Sequence, residues 1–194
     1  MAQPFSPEQR DAIRARLLES ARQHAISDGV KKTSLDMLTA DAGISKSSFY
    51  KFYDSKEQLF IEVASQWESD VLFAVKHSLE QTAHMSDKER AAETVYTAFE
   101  TIHHLGIIRF LTEDWAELVP YISDDSACSH YLSYSQNIFD MLKLAHIHFV
   151  APDDVVLASI RVLYFSVSHA NQIGKSFFPA LHAIVIGACD ELVA

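Results

Sequence analysis

Apolar residues recur every three or four positions through most of the chain, which is the spacing of amphipathic helices. A first helix is predicted to begin after the cap residue Ser6, with Pro7 at its first position, and to end at Gly29. Long helical patterns follow Ser55 and Ser86. No stretch alternates like a strand, so the sequence predicts an all-α protein of about nine helices.

The segment from Thr33 to about residue 54 predicts two short helices joined by a turn. Thr33 is a candidate cap for the first, with Asp36 completing a capping box, and Gly43 ends that helix. Ser45 is placed to cap the second helix, in which Phe49 faces a small core. Two helices around a glycine turn are typical of a helix-turn-helix, whose second helix lies in the DNA major groove. The alternative interpretation is an ordinary helical hairpin with one solvated face.

Residues 8–70 resemble the N-terminal domain of the TetR (tetracycline-repressor-like) regulators. The resemblance rests on Asp28-Gly29-Val30, Thr33, Ala42-Gly43-Ile44-Ser45, Ser47-Ser48, Phe49-Tyr50, Phe52-Tyr53 and Ser55-Lys56-Glu57-Gln58-Leu59. Two departures are visible, because Ser47-Ser48 stands where Gly-Thr is common and Thr39 stands where alanine is usual. Both are conservative in size, so they bear on the DNA sequence that is read more than on the fold.

The resemblance implies a homodimer that binds a near-palindromic double-stranded DNA operator. A repressor is favoured, released by a small molecule. The chain then divides into a helix-turn-helix domain, residues 1–54, and an effector-binding and dimerisation domain, residues 55–194. We expect base edges and nearby phosphates to be contacted by Lys46, Ser47, Ser48 and Tyr50. We expect phosphate contacts mainly from Thr33, Lys51, Tyr53 and Lys56, with backbone N–H groups at the Ser45 and Ser55 helix starts assisting.

The net charge of −10 is unevenly distributed along the chain. Residues 1–56 hold nine Lys/Arg and seven Asp/Glu, a net +2, so the remainder, with seven basic and nineteen acidic residues, carries −12. A mildly basic N-terminal segment is compatible with DNA binding because the distribution of charge, rather than its sum, faces the phosphates.

Two helical patterns near the C-terminus are apolar on more than one face, which means that each needs cover on two sides. Small residues among them permit close approach, so a dimer interface is the predicted second cover, and the resemblance implies a four-helix bundle between two copies. The alternative is a pair of central core helices within one subunit. The interface prediction comprises Val155, Ser159, Val162, Ser166, Leu181, Ile184, Val185 and Ala188.

Aromatic residues concentrate in the middle of the chain, where the resemblance implies a ligand cavity. Aromatic walls with a few polar groups suit a small, mostly apolar effector. The predicted lining is Phe99, His103, Phe110, Trp115, Tyr131, Tyr134 and Phe139. The alternative is that most of these side chains simply form the core.

The remaining candidate chemistry supports neither an enzyme nor a cofactor. The pairs His103-His104 and His146/His148 diverge by about 100° and about 200° around a helix, so neither chelates a metal from one helix. A metal site built across helices stays open. Glu113, Asp114 and Glu117 fit a paired-carboxylate site less well than a solvated face or a cavity rim.

Cys128 and Cys189 are far apart, which favours free thiols in a reducing compartment. No signal-peptide pattern and no membrane-length apolar run is present, so a cytoplasmic location is expected. The competing hypothesis for the whole chain is a helical small-molecule-binding, hydrolytic or metal-dependent protein whose helix-turn-helix is incidental.

Overall fold

A computed structural model describes residues 5–122 and 130–194, and all of their side chains except those of residues 130–133. The all-α prediction is confirmed. The helices are α1 Pro7–Ser27, α2 Leu35–Ala42, α3 Lys46–Phe49, α4 Lys56–Gln81, α5 Asp87–His104, α6 Trp115–Leu118, α7 His130–Leu144, α8 Asp153–Val167, α9 Ala170–Ile173 and α10 Phe177–Leu192. Within the described ranges, the β-type pairing is an isolated bridge between Phe149 and Val193.

The chain forms two compact units. The first unit comprises Met1–Gln66 and Arg109–Asp124, and the second comprises Trp67–Ile108 and Asp125–Ala194. The predicted boundary at residues 54/55 differs from this division, because the start of α4 and the segment from Arg109 belong to the first unit. The sequence alone does not predict this grouping, because Arg109 and the α1 residues that it contacts are more than 80 positions apart in the chain.

Helix starts follow the local capping chemistry. Ser6 is the cap of α1, as predicted, because it accepts a hydrogen bond from the N–H of Gln9 and forms a capping box with it. At α2 the predicted cap is wrong by one residue. Ser34, rather than Thr33, accepts from the N–H of Met37 at 3.2 Å and caps the helix. Thr33 is fully buried instead.

Helical structure is interrupted at two places in the second half of the chain. A π-helical segment, Phe110–Asp114, precedes α6, and a 3₁₀ turn, Val119–Tyr121, follows it. Farther along, α8 ends at Val167, and α9 follows as a separate turn. Both interruptions change which side chains share a face, because each shifts the helical phase.

The core of the second unit lies where α10 packs along α5 and α7 along α8. The loop between α7 and α8 is held by the start of α5. Arg90 Nη1 donates to the carbonyl of Ala145 at 3.3 Å, and Asp87 accepts from the backbone N–H of His148 at 3.0 Å. None of the helices within residues 5–122 and 130–194 has both the length and the apolar character of a bilayer span.

Candidate DNA-binding site

The turn between α2 and α3 depends on glycine. Gly43 adopts φ +68°, a left-handed conformation that other residues adopt at a cost, and it ends α2. Ser45 then caps α3, with its Oγ accepting from the N–H of Ser48 at 3.2 Å. Phe49 is fully buried and anchors the short helix from behind. The predicted helix-turn-helix therefore exists as a folded element.

The outer face of α3 is polar and exposed. On α3 itself, Lys46 and Ser47 are exposed and Ser48 is half-buried. Tyr50 and Lys51, directly after the helix, are exposed as well. Ser45 Oγ lies 3.0 Å from the hydroxyls of both Ser47 and Ser48, so the three hydroxyls form a small local network. This face carries most of the side chains predicted to contact DNA, and Tyr50 is exposed there with its ring edge-on to that of Phe49.

Lys46 has a partner within the protein. Its ammonium lies 2.8 Å from Oδ1 of Asp36 on α2, and both side chains are exposed. An exposed ion pair of this kind is weakly stabilising. The charge of Lys46 is therefore partly offset by Asp36.

Thr33 and Lys56 are used inside the first unit. The hydroxyl of Thr33 donates to the carbonyl of Gly29 at 2.8 Å. Lys56 Nζ donates to the carbonyls of Val30 at 3.0 Å and Thr33 at 2.7 Å. The geometry does not support Thr33 as a phosphate contact, because its side chain is buried. Lys56 instead holds the loop before α2 through its two hydrogen bonds.

Tyr53 is likewise internal. Its hydroxyl donates to Oε2 of Glu62 at 3.0 Å and accepts from Nε of Arg14 at 3.4 Å. Arg14 Nη2 closes the triangle at 2.9 Å from Oε1 of Glu62. Burial, in the first place, raises the pKa of Tyr53 to about 12, so it stays a neutral donor. The cluster ties α1, the end of the α3 segment and α4 together, which leaves Tyr53 with a structural role.

Two arginines of α1 have roles that periodicity did not predict. Arg14 belongs to the cluster just described. Arg10 Nη2 donates to the carbonyl of Lys51 at 3.2 Å, and its guanidinium lies 5.0 Å from the ring centroid of Phe52. Both connect residues about forty positions apart, so no local sequence signal marks them.

The corner after α1 is held by the segment that begins at Arg109. Arg109 Nη2 donates to the carbonyl of Ala25 at 2.7 Å, and Asp114 Oδ2 lies 3.9 Å from the same nitrogen. Gly29 has φ +90°, and a Cβ there would lie 3.0 Å from Oδ1 of Asp114. Burial raises the pKa of Asp114. The predicted solvated carboxylate face is wrong at Asp114, which is buried, while Glu113 and Glu117 are exposed.

The residues predicted for a dimer interface divide into three groups by exposure. Val162 and Ile184 are 68% and 58% exposed, and Val155 is also exposed. Ser159, Ser166 and Ala188 are half-buried. Leu181 and Val185 are 2% and 1% exposed, so they belong to the core of the second unit and not to an outer face. In a helix that is apolar all round, sequence alone does not distinguish the inward stripe from the outward one.

The predicted effector-binding residues do not all lie in one unit of the chain. Phe99, Tyr134 and Phe139 are buried in the second unit, whereas Phe110 and Trp115 are buried in the first. His103 is exposed, and its ring lies 4.4 Å from that of Phe178. The side chain of Tyr131 lies outside the described residues, as does Cys128.

A small apolar cavity lies within the second unit. It has a volume of about 30 Å³ and is lined by residues that include Val95, Val156, Val185 and Cys189. This is room for about one water molecule, so an effector would not fit there without rearrangement. Burial raises the pKa of Cys189 to about 11, which keeps its thiol protonated. Among the described side chains, no group of three or more His, Cys, Asp or Glu is arranged to hold a metal ion.

The short helix that follows a glycine turn, with a buried aromatic behind it and a polar face outside, defines a helix-turn-helix DNA-binding domain. Residues 17–63 match the family described as bacterial regulatory proteins, tetR family. The TetR-family resemblance that was drawn from the N-terminal part of the sequence is thereby confirmed. No curated protein matches the chain in sequence.

Solved structures show the same fold along nearly the whole chain. A TetR transcription regulator from Haloarcula marismortui has a TM-score of 0.68 at 11% identity, with 95% of this chain and 100% of that chain covered. A putative TetR-family regulator from Mesorhizobium loti has a TM-score of 0.66 at 16% identity, with coverage of 95% and 97%. A TetR-family regulator from Marinobacter aquaeolei has a TM-score of 0.64 at 16% identity, with coverage of 97% and 99%. At these identities the likeness concerns the fold alone.

Proposed function

We propose that this regulator is a homodimeric repressor that binds a near-palindromic operator and is released by a small, mostly apolar effector. The observation that carries the proposal is the exposed polar face of α3, with Phe49 buried behind it and Gly43 setting the turn. A helix presented in this way can enter a major groove, where side chains reach base edges.

On the DNA side, Tyr50, Ser47 and Lys46 are the side chains assigned to base edges and nearby phosphates, and Lys51 is assigned to phosphate. Tyr50 is 57% exposed, so its hydroxyl and ring are accessible to a duplex. Ser48 is half-buried and Ser45 caps the helix, so these two mainly shape the surface. Phosphate contacts position the protein, while contacts to base edges provide specificity.

The dimer is supported by unburied apolar side chains on two helices. Val155, Val162 and Phe165 are exposed on α8, and Ile184 is exposed on α10. Gly187, one turn after Ile184, has nothing within 4 Å of the position where a Cβ would lie, so a second helix could approach closely. Large apolar side chains at helical spacing are typical of a surface that another protein covers. Two identical subunits related by a two-fold axis would present two copies of α3 to a palindrome.

The effector is assigned to the second unit, in the neighbourhood of Phe99, Tyr134 and Phe139. These rings are buried, which favours a mostly apolar ligand. Asn137 and Glu68 supply polar groups in the same unit, joined by a hydrogen bond of 2.9 Å. A ligand releases DNA only to the extent that it binds the released state more tightly than the DNA-bound state.

The experiment is a selection of genomic DNA fragments by the purified protein at low salt, followed by sequencing. The expected result is enrichment of fragments that share one near-palindrome, including DNA upstream of the protein's own gene. A transcriptional fusion to that fragment should be less active when the protein is present. Higher activity in its presence would contradict repression, and retention of no fragment would contradict the proposal as a whole.

A further inference from the structure

The imidazole of His24, in the last turn of α1, is bound through both of its nitrogens. Nδ1 lies 2.8 Å from Oδ2 of Asp28, just after α1, and Nε2 lies 2.9 Å from Oδ2 of Asp41, near the end of α2. The ring therefore joins the two helices that precede the DNA-facing helix α3. We call His24, Asp28 and Asp41 the histidine bridge.

The geometry specifies the charge of the ring. A carboxylate only accepts hydrogen bonds, and a neutral imidazole has a single N–H. One ring nitrogen of a neutral His24 would therefore turn its lone pair toward a carboxylate oxygen. Only the imidazolium donates to Asp28 and Asp41 together.

The surroundings favour that cation. Ser20 donates to Oδ2 of Asp41 at 2.7 Å, and Ser27 donates to Oδ2 of Asp28 at 2.9 Å, so both carboxylates are held as anions. The C-terminal end of α1 favours positive charge in its last turn. Within the described residues, the positive charge of the Arg109 guanidinium also acts on the bridge, because it lowers the pKa of Asp28.

The pKa shifts of all three groups favour their charged forms. The hydrogen bond to Asp28, in the first place, raises the pKa of His24 above its ordinary 6.5, although partial burial opposes it. The pKa of Asp28 is lowered chiefly by His24, and that of Asp41 chiefly by Ser20.

The bridge is close to the DNA-facing helix along the chain. Asp41 is followed by Ala42 and then by Gly43, the turn that leads into α3. α3 has only four residues and depends on its attachments for its orientation. Fixing the end of α2 against α1 therefore limits the directions that α3 can take.

We propose that His24 is a positioning residue for DNA recognition, whose cationic ring fastens α2 to α1 so that operator affinity falls when the ring loses its proton. This inference rests on the proposed DNA-binding function. Without the bridge, the arrangement that fits DNA is a smaller fraction of the population, and the apparent affinity decreases by that fraction. Burial of Leu38 and Ala42 keeps α2 folded in either state.

The direction of the pH dependence of operator affinity follows from the raised pKa of His24. The contribution of the bridge is complete below the ordinary histidine value of 6.5 and is lost as pH rises through the higher value of the folded protein. Both aspartates are partly exposed, so the expected loss of affinity is modest, about two- to fivefold.

The test measures the affinity of the full-length protein for a selected genomic duplex between about pH 6 and about pH 8.5, where histidine titrates. Wild type, His24→Gln and Asp41→Asn are compared, with His77→Gln as control, because His77 is exposed on α4. Nitrogen-15 NMR of the His24 ring follows its protonation without DNA. This measurement separates the bridge from DNA binding.

The expected result is a wild-type affinity that decreases across this range and a His24→Gln affinity that lacks this component. Asp41→Asn should move the wild-type midpoint to lower pH, since one stabilising carboxylate is gone, and His77→Gln should resemble wild type. Parallel profiles of wild type and His24→Gln, or a His24 ring that titrates at or below its ordinary pKa, would overturn the positioning role. A wild-type protein that binds no duplex would instead overturn the proposed function.

Discussion

The ammonium of Lys46 lies 2.8 Å from the carboxylate of Asp36, so the first residue of α3 is paired with the second residue of α2. The pair stands on the face that we assign to DNA. A phosphate bound by Lys46 would have to compete with Asp36, whose own charge repels the DNA backbone.

Lys46 and Asp36 are therefore expected to affect DNA binding in opposite directions. Lys46→Ala should weaken binding to all duplexes and reduce the slope of log affinity against log salt by about one phosphate contact. Asp36→Asn should strengthen binding at low salt, because the competing charge is removed while the side-chain shape is kept. Salt titrations of both variants by fluorescence anisotropy test this, and equal salt slopes for wild type and Lys46→Ala would remove Lys46 from the phosphate contacts.

Tyr50 is the largest exposed side chain on the DNA-facing side of α3. Replacing it with alanine should cost about 1–3 kcal/mol of operator affinity if it contacts base edges. Tyr50→Phe is the matched variant, because it keeps the ring and removes only the hydroxyl. Circular dichroism should show both variants folded, and an undiminished affinity for Tyr50→Ala would refute the assigned contact.

Gly29, at the corner after α1, and Gly43, in the turn after α2, offer a matched pair of positive-φ glycines. Both have positive φ, so alanine costs about 1 kcal/mol of backbone strain at either position. At Gly29 a Cβ would also lie 3.0 Å from Oδ1 of Asp114, whereas at Gly43 it would meet nothing within 4 Å. Gly29→Ala should therefore lower the free energy of unfolding more than Gly43→Ala in urea titrations. An equal decrease in the free energy of unfolding for both variants would show that Asp114 moves away from the added methyl group without destabilising the protein.

Val162 tests the interface. A glutamate at this position would place a charge within the apolar α8 surface, so Val162→Glu should convert dimers to monomers in light scattering. Phe73→Glu is the control, since Phe73 is 73% exposed but lies on α4, outside the proposed interface. Dimers that survive Val162→Glu at micromolar concentration would move the interface elsewhere.

Local sequence signals were sufficient where the chemistry is local. The α1 cap at Ser6 and the glycine turn at Gly43 need only neighbouring residues, and both are present as predicted. The α2 cap was misplaced because Thr33 and Ser34 are both capping residues, and only the folded chain shows that the threonine is buried.

Long-range contacts were the part that the sequence did not reveal. Arg109 reaches the carbonyl of Ala25 across 84 positions, and no periodic pattern encodes that contact. The face of α10 that turns inward was equally hidden, so the buried Leu181 was grouped with the exposed Ile184. The π-helical segment Phe110–Asp114 was also not predicted, because a change of helical phase has no marked signal in composition.

The central claim is that two copies of α3 occupy major grooves of one duplex, and methylation protection on a selected fragment measures this most directly. Guanine N7 lies in the major groove, so the account predicts two symmetric patches of protected guanines, about one helical turn apart or a multiple of it. The protection should weaken with Tyr50→Ala at the same protein concentration. Protection of a single patch, or a bound duplex whose guanine N7 atoms all stay reactive, would contradict it.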